Sequence, residues 1–442
     1  MIMKNKLFIS FLILICSVEF VKSQTNVSGG IFTNTVWTKV NSPYTVTDTV
    51  VVFPGVTLTI QPGVTVKFKD SINMEIRGTL LAIGSPTDTI HFTSVSQKVT
   101  FPNAMSGPLT GIRINVDLGG KTTVNYAKFT YIDGGISWEN WTTSGVTSSV
   151  SNSLFYRNTR GLLGETYYWT YINVNKCTFL RNEIGIGYSW YYNVRGCTFK
   201  ENGIGITGDN INADNSTFCG NITAIDTDAG VFDSLTITKN SAGLKLANSN
   251  GISVRNCYIF ANDTGIVLGM GLSTSTDTVT SNSICNNNLY NVVHTDSYNF
   301  NMANNCWCTT NTVSIASKIY DAYDNFTLGI INFAPFSNCT STVLPTGINC
   351  NYFTTNFNAP RLNDIFLKIF PNPNNGSFVI QTDNEIENGE LKITNSLGQT
   401  VLQKAVFHSD KLSLSIAEQP VGIYFVEIKT KEENFRTKIV KE

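Results

Sequence analysis

The chain contains few charged residues and almost no net charge. Only 14% of its 442 residues are Asp, Glu, Lys or Arg, against about 25% in an ordinary soluble protein, and 31 basic residues face 32 acidic ones. There is no positive excess to neutralise phosphates, which excludes nucleic acid as a partner by bulk electrostatics. The polar surface must come from Asn, Thr and Ser. Together with 34 glycines, that composition favours strands and turns over helices.

Long apolar runs are also lacking, apart from one near the first residue. It extends from Leu7 to Val18, follows two lysines and precedes a plausible cleavage point after Ser23. A spanning helix needs about 20 apolar residues, so this shorter run predicts a secretory signal peptide over residues 1–23. We expect no membrane-spanning segment in the remainder of the chain.

The number of cysteines is odd once the signal peptide is set aside. Of ten cysteines one lies within the signal peptide, which leaves nine. An oxidising compartment permits disulfides, but at least one thiol must stay unpaired. The Cys-Trp-Cys at 306–308 has no matching CxxC or nearby pair of histidines, so it is not typical of a metal site. Cys339 and Cys350 are close enough in sequence to close a small loop.

Two neighbouring segments are nearly identical: VNKCTFLRNEIGIG ends at Gly187 and NVRGCTFKENGIGI ends at Ile206. Their template continues along the chain as an apolar residue, an Asn, a small residue and an aliphatic residue, with a period of 19 to 26 residues. The apolar column is Phe155, Phe179, Phe199, Phe218, Ile237, Ile259 and Cys285. The Asn column is Asn158, Asn182, Asn202, Asn221, Asn240, Asn262 and Asn288.

A repeat of this length with short strands is typical of a parallel β-helix. Its coils stack at about 4.8 Å, so residues at one template position form a ladder. We expect apolar residues to fill a narrow core and each Asn to occupy a turn, where its amide bonds neighbouring coils. Cys177, Cys197 and Cys257 fall on the inward face. We interpret them as small core residues, with a Cys177–Cys197 disulfide as the alternative.

The repeat resembles the right-handed parallel β-helix family, the pectate-lyase-like superfold. PGVTLTIQPGVTVKF over residues 54–68 looks like the opening coils of secreted bacterial β-helices. The segment over 304–336 is similar to their closing segment, although Cys308 replaces the usual Gly. The resemblance implies an all-β solenoid over residues 24–338.

Residues 339–366 have linker composition, and the sequence after them changes to alternating strands and turns. LKIFPNPNNGSFVI over 367–380 and the strands that follow it resemble the type A C-terminal sorting domain of the type IX secretion system. The matching residues are Pro371, Asn372, Pro373, Gly376, Gly398, Gly422 and Tyr424. The resemblance implies a small immunoglobulin-like β-sandwich over 367–442 and the type IX machinery as a partner. It also implies delivery to the outer face of a Gram-negative bacterium, secreted or on the cell surface.

Carboxylates recur at one template position, three residues after the aliphatic column. They are Glu139, Glu165, Asp209 and Asp228. Carboxylates on adjacent coils repel each other, so they spread into solvent, bind a cation or share a proton. We take Glu139 and Glu165 as candidates for Ca²⁺ binding, with no other cofactor expected, and Asp209, Asp226 and Asp228 as candidate catalytic residues.

Aromatic residues are concentrated beside these carboxylates. Exposed rings in a row would stack on sugar faces, whereas buried rings would pack on each other. The candidates for carbohydrate binding are Trp138, Trp141, Tyr168, Trp169, Tyr188, Trp190 and Tyr191.

Signatures of the enzymes on this fold are mostly lacking. Polygalacturonase-like enzymes carry N-T-D, D-D, G-H-G and R-I-K, and this chain has only D-T-D at 226–228. A lyase would need a Ca²⁺ cluster and a basic residue such as Arg195 or Lys245, and no lyase motif surrounds either. We therefore expect a non-catalytic protein for polysaccharide binding or adhesion. A lyase or glycoside hydrolase acting on an acidic polysaccharide is the alternative, and a structural surface component a third possibility.

Overall fold

The computed structural model describes residues 24–97, 110–142, 146–166, 170–188, 191–247, 251–273, 275–339, 343–346, 348, 350, 368–395, 398–430 and 434–442. The predicted signal peptide lies outside them. The chain divides into two compact units, Met1–Thr355 and Asn356–Glu442. Within the described ranges, no helix has the length and apolar character needed to cross a membrane.

The first unit is a parallel β-helix, as predicted, and its coils contribute strands to three faces. Each strand pairs in parallel with the equivalent strand of the next coil. Two early strands, Thr25–Ile31 and Tyr44–Val52, bend and belong to both sheet 1 and sheet 2. Sheet 1 continues with Thr65–Phe68, Ile90–Ser94, Ala127–Thr130, Leu154–Tyr156, Thr178–Leu180, Thr198–Lys200, Thr217–Cys219, Thr236–Thr238, Tyr258–Phe260 and Ser283–Cys285.

Sheet 2 contains the aliphatic column of the repeat, and sheet 3 completes each coil. Sheet 2 continues with Asn73–Ile76, Gly111–Asn115, Gly134–Asn140, Arg160–Thr166, Ile184–Gly187, Ile204–Gly208, Thr223–Thr227, Ala242–Leu246, Thr264–Leu268, Tyr290–His294 and Ile319–Tyr320. Sheet 3 comprises Thr35–Trp37, Thr57–Ile60, Thr79–Ile83, Lys121–Asn125, Val146–Ser151, Thr170–Asn175, Tyr192–Arg195, Ile211–Asp214, Gly230–Asp233, Ile252–Arg255 and Thr278–Thr280. Short 3₁₀ turns occur at Lys39–Asn41 and Val116–Leu118, and near the closing coil lie the helix Thr312–Ala316 and the strand pair Phe300–Asn301 and Ile331–Asn332.

The core of the solenoid is a stack of side chains from successive coils. Six phenylalanine rings lie one over another with centroids 4.6 to 4.9 Å apart and planes within 10° of parallel. The stack consists of Phe92, Phe129, Phe155, Phe179, Phe199 and Phe218. Ile237, Ile259 and Ile284 continue the column in register.

The turn between sheets 1 and 2 contains a buried ladder of asparagines. The backbone N–H and the Nδ2 of Asn182 both donate to Oδ1 of Asn202, at 2.9 and 3.0 Å. Asn202 also donates to the carbonyl of Phe179 in the preceding coil. The pattern repeats through Asn221, Asn240 and Asn262. Each side chain therefore satisfies backbone groups of its neighbours that would otherwise be buried without partners.

The last step of the predicted ladder is wrong by one residue. Asn262 donates to Asn287 at 3.0 Å, whereas Asn288 is exposed and bonds Asp263. The apolar column likewise passes through Ile284 and not Cys285. The chain accommodates its extra residue after Asn287, where Asn291 closes the ladder.

The turn between sheets 3 and 1 explains the three inward cysteines. Cys177, Cys197 and Cys257 are buried free thiols, as expected. The backbone N–H of Cys177 donates to the Cys197 sulfur at 3.3 Å, and the Cys197 N–H donates to Ser216 Oγ at 3.0 Å. These small side chains occupy one corner of the core and accept from the preceding coil.

The remaining cysteines form disulfides, and not the small loop expected between Cys339 and Cys350. The pairs are Cys219–Cys350, Cys285–Cys308 and Cys306–Cys339. Spacing in the sequence did not predict these pairs, because the fold brings cysteines that are far apart in the chain, such as Cys219 and Cys350, to a Cα–Cα distance of 5.8 Å.

The second unit is a small antiparallel β-sandwich. Its strands are Lys368–Phe370, Ser377–Asn395, Thr400–Ser415, Gly422–Thr430 and Asn434–Lys441. Residues of the sorting motif have structural roles: Asn372 accepts from the backbone of Val440 at 2.8 Å, and the Tyr424 hydroxyl donates to the carbonyl of Pro420. Gly376 has φ of 103°, a conformation that favours glycine, and a Cβ there would lie 2.7 Å from Ala417 Cα.

The first described strand contains an irregularity. Thr25–Ile31 pairs with Tyr44–Val52, but the register shifts between Val27 and Gly29. At this point Ser28 stands opposite three residues of the partner strand, 47–49, where both strands bend from sheet 1 to sheet 2 at one end of the solenoid.

Candidate functional site

The turn between sheets 2 and 3 places most of the described candidate residues in one line. Successive coils contribute to this turn in order, and we call the line the turn strip. Its described candidates are Trp141, Tyr188, Tyr191, Asp209 and Asp228. Because adjacent coils are about 4.8 Å apart, the strip runs parallel to the solenoid axis, aromatic at one end and acidic at the other.

Several rings of the turn strip face solvent. Trp141 is 56% exposed and Tyr188 is 44% exposed. Tyr171 begins the adjoining strand of sheet 3 and is 37% exposed. It meets Tyr191 with ring centroids 5.9 Å apart. Exposed rings in a row can stack on the apolar faces of sugars.

The backbone holds these residues in conformations that a side chain seldom adopts. Tyr188 and Tyr191 have φ of 47° and 76°, in the left-handed region that disfavours bulky residues. Their N–H groups donate to the next coil, to Thr207 at 3.0 Å and Asn210 at 3.2 Å. The same left-handed conformation recurs at other turns of the solenoid, for example at Arg157, Arg181 and Glu201, so it belongs to the coil geometry and does not by itself indicate function.

Trp141 is positioned by a carboxylate of the preceding coil. Its backbone N–H donates to Asp117 at 2.9 Å, and Thr142 donates to the same carboxylate at 2.8 Å from both its backbone and its hydroxyl. The loop that presents the indole ring is therefore fixed at its base.

The expectation that Trp138 lies with the exposed rings is wrong. Trp138 is 0% exposed and packs edge-to-face on Tyr192, with centroids 6.2 Å apart. Side chains alternate along a strand, and Ile136 points into the core, so the residue two positions later points inward as well. Tyr168, Trp169 and Trp190 lie outside the described residues.

Glu139 and Glu165 are register partners on adjacent strands of sheet 2. Glu139 already has a cationic partner, because both of its oxygens accept from the Arg113 guanidinium of the preceding coil. The side chain of Glu165 is outside the described part of the chain. Ca²⁺ binding at this pair stays a prediction.

Asp209 and Asp228 occupy adjacent coils at the acidic end of the turn strip. The register of Gly208 with Thr227 sets the two residues side by side. Burial, and then the negative charge of Asp228, raise the pKa of Asp209 above its ordinary value. A raised pKa favours the protonated form of Asp209 relative to an isolated carboxyl group.

Asp226 lies on the outward face of sheet 2, opposite Lys245. Burial raises the pKa of Asp226, Lys245 opposes that effect, and Asp228 adds to it. The three carboxyl groups and the lysine therefore form one electrostatically connected group. Such groups bind sugar hydroxyls or supply a proton in catalysis.

Sequence reasoning missed a row of amides beside the turn strip. Asn173, Asn193 and Asn212 point outward from sheet 3 and bond along the row, at 3.2 and 3.4 Å. Asn173 and Asn193 follow Tyr171 and Tyr191 by two residues, which is about 7 Å along a strand. The signal was present as the triplets INV, YNV and INA at one template position.

Among the described residues, one group of potential metal-ligating side chains has its ligand atoms close together, and it consists of cysteines. Cys306, Cys308 and Cys339 have sulfurs within 4.8 Å of one another. All three sulfurs form disulfides, so they are not thiolate ligands in this oxidised state.

Residues 368–442 match the model of the secretion system C-terminal sorting domain. The fold and this match define the class of the protein: it is a parallel β-helix with a C-terminal type IX sorting domain. That signal implies secretion and the type IX machinery as a partner.

Two further similarities are to a curated protein and to a solved structure. The protein named Protein bark beetle from Drosophila melanogaster is 36% identical over 80 residues, which is 18% of this chain and 3% of that protein. The chain therefore corresponds to a small fraction of that relative. The tailspike protein of Acinetobacter phage vB_ApiP_P1 aligns over 87% of this chain and 73% of its own, with 12% identity and a TM-score of 0.26.

Proposed function

We propose that the solenoid is a non-catalytic polysaccharide-binding or adhesion module, displayed on the outer face of a Gram-negative cell or released from it. The turn strip is the observation that carries this proposal. Tyr188 and Tyr191 lie at one turn of the solenoid and Trp141 lies at the corresponding turn two coils earlier, on a rigid scaffold that reduces the ordering cost of binding.

The chemistry of the strip suits a sugar chain. Rings stack on the apolar face of a pyranose, while carboxylates and amides exchange hydrogen bonds with its hydroxyls. Coil spacing repeats the amides of Asn173, Asn193 and Asn212 along one axis, as sugar units repeat along a polysaccharide.

The test is binding of the full chain to a glycan array, followed by titration of the best glycan. Trp141→Ala and the double variant Tyr188→Ala/Tyr191→Ala are each expected to weaken binding by about tenfold or more. Tyr323→Ala is the matched control, because Tyr323 is 86% exposed but lies outside the strip. Failure to bind any glycan, or equal losses in the control, would contradict the proposal.

A second candidate function is hydrolysis or lyase cleavage of an acidic polysaccharide. The raised pKa of Asp209 beside Asp228 favours it, because a general acid must hold its proton near the working pH. Reducing-end release and unsaturated-product absorbance from polyuronides would detect the reaction. Unchanged activity in Asp228→Asn would remove these carboxylates from the mechanism.

A further inference from the structure

Arg160 is a buried cation whose guanidinium lacks a partner among the described residues. It is the first residue of a sheet 2 strand and is 8% exposed. Its Nε is buried without a hydrogen-bond partner, and no carboxylate of the described ranges pairs with the side chain. The buried lysines differ: Lys200 lies 3.2 Å from Glu201, and Lys441 donates to two backbone carbonyls. The described part of the protein therefore does not compensate the charge of Arg160.

The side chain of Arg160 points to the outer face of sheet 2. The next residue, Gly161, faces the core, because a Cβ there would lie 2.8 Å from a ring carbon of Phe179. Neighbours along a strand point to opposite sides. Gly134 in the preceding coil and Ile184 in the next coil are in register with Arg160. Neither has a side chain that can accept a hydrogen bond, and Gly134 leaves space beside Arg160.

Ser137 brings a hydroxyl group to this space. It lies three residues after Gly134 and points outward, and its hydroxyl donates to a backbone carbonyl of the preceding coil at 3.4 Å, a long hydrogen bond. The same spacing two coils later brings the two positions into contact, since a Cβ at Gly187 would lie 3.0 Å from Ile184. Ser137 therefore borders the space beside Arg160.

The chemistry of a guanidinium specifies what would compensate it. Arginine has five N–H donors, no acceptor, and a charge that it does not lose in proteins. Buried charged groups are paired in folded proteins, because the hydration that they lose must be replaced. The planar fork of the guanidinium matches oxyanions, to which it donates two parallel hydrogen bonds. Because Arg160 is only 8% exposed, a small ion reaches it more readily than a polymer that lies on the surface.

We propose that Arg160 binds a small inorganic oxyanion, of the sulfate or phosphate class, in the space beside Gly134, with the Ser137 hydroxyl as a second donor. The ion neutralises the buried charge and connects two adjacent coils, since Arg160 and Ser137 lie one coil apart. The site is separate from the turn strip. Arg160 begins its strand and the strip follows the strand's other end, six residues later, which is about 20 Å.

Equilibrium dialysis of the full chain tests the proposal, with radiolabelled sulfate and phosphate in chloride buffer of constant ionic strength. We expect one saturable ion per chain, and Arg160→Met should weaken its binding by about tenfold or more. Arg195→Met is the matched control, because Arg195 is exposed and pairs with Asp214. Absence of saturable binding to the parent, or equal binding to Arg160→Met, would overturn the proposal.

A third dialysis arm distinguishes an inorganic ion from an acidic group on a glycan. It uses an oligogalacturonide, whose carboxylates offer the same chemistry. Weak or no binding at Arg160 is the expected result. Binding of this glycan in place of both inorganic ions, lost in Arg160→Met, would assign the oxyanion to a polysaccharide and overturn the inorganic ion.

Urea unfolding separates a ligand site from a structural pair. In chloride buffer alone, Arg160→Met should unfold at the same urea concentration as the parent or a higher one, because an apolar side chain replaces an uncompensated buried charge. Added sulfate should stabilise the parent and Arg195→Met more than Arg160→Met, since its general salt effect is common to all three. Destabilisation of Arg160→Met in chloride buffer would show that the guanidinium already has a partner, and would refute the site.

Discussion

At the scale of single residues, the asparagine ladder shows how one side chain can support three coils. Asn202 is 2% exposed; its oxygen accepts from Asn182 and its amide donates onward to Asn221. No other side chain of this size is both acceptor and double donor. The repeat therefore needs asparagine at this turn and not merely a polar residue.

Asn202→Ala is expected to destabilise the solenoid by about 2–4 kcal/mol, because it leaves the buried backbone N–H of Asn182 and the carbonyl of Phe179 in the preceding coil unpaired. Urea unfolding measures the loss. Asn212→Ala is the control: Asn212 is exposed on sheet 3, and its replacement should cost less than about 0.5 kcal/mol. Equal losses in both variants would refute the role of the ladder.

His91 makes the stability of the folded protein depend on pH. It bonds Thr130 at 2.8 Å, and burial, with help from Lys128 and Lys67, lowers its pKa to about 4. The unfolded chain takes up the proton near pH 6.5 and the folded chain near pH 4, so stability falls as pH falls through this window. The parent should lose about 2–3 kcal/mol between pH 7 and 4.5.

In His91→Gln that pH-dependent loss should largely disappear, although stability at pH 7 can differ from the parent. Unfolding free energies at the two pH values decide the matter. The same loss in both proteins would assign the acid sensitivity to other groups.

The acidic end of the turn strip makes a separate prediction at this scale. Asp228→Asn removes a negative charge beside Asp209, so the pKa of Asp209 should fall toward its ordinary value without reaching it, because burial remains. Carbon-detected NMR titration of the Asp209 carboxyl group measures the change. An unaltered pKa would mean that the two side chains diverge.

At the scale of elements, the solenoid depends on rings stacked from strand to strand. Phe179 lies between Phe155 and Phe199, at centroid distances of 4.9 and 4.7 Å. Phe179→Ala should lower the free energy of unfolding by about 3–5 kcal/mol, because it opens a cavity in the narrow core between the stacked rings. Thermal or urea unfolding measures the loss. Phe326→Ala should change little, since Phe326 is 93% exposed; a comparable loss there would be contrary to this account.

Columns in the sequence predicted the faces of the solenoid, since identical residues recur on stacked strands. They could not predict where a coil accommodates extra residues. Asn286, Asn287 and Asn288 are consecutive, so spacing alone cannot choose among them, and only the packing of Ile284 on Ile259 selects Asn287. For Trp138 the sequence did contain the signal: side chains alternate along a strand, so a residue two positions after the inward Ile136 also points inward.

At the scale of the whole molecule, the sequence motifs of the sorting domain predicted export directly. The disulfides were not predictable, because the pairing of Cys219 with Cys350 depends on coils between them that must first stack. The extent of the candidate site could likewise be predicted only in part from the sequence. Asn173, Asn193 and Asn212 carry no charge or aromatic signal of their own, and their common face emerges only once the coils are aligned.

Removal of residues 368–442 should abolish export without unfolding the solenoid, because the sorting domain forms a separate compact unit. Cell fractionation should find the shortened chain in the periplasm, and its circular dichroism should keep a β-rich spectrum. Its appearance in the medium at the normal level would contradict the assignment of the signal.

The register shift between Val27 and Gly29 bears on whether copies of the protein associate end to end at high concentration. A spiral ends in a rung whose peptide groups offer a template to any other rung, and copies of a regular spiral could join end to end as fibre-forming chains do. We expect the end rung, whose register with its partner shifts between Val27 and Gly29, to match a regular rung poorly. Polymerisation is thus discouraged by backbone shape, in a protein with too little net charge to keep its copies apart by repulsion.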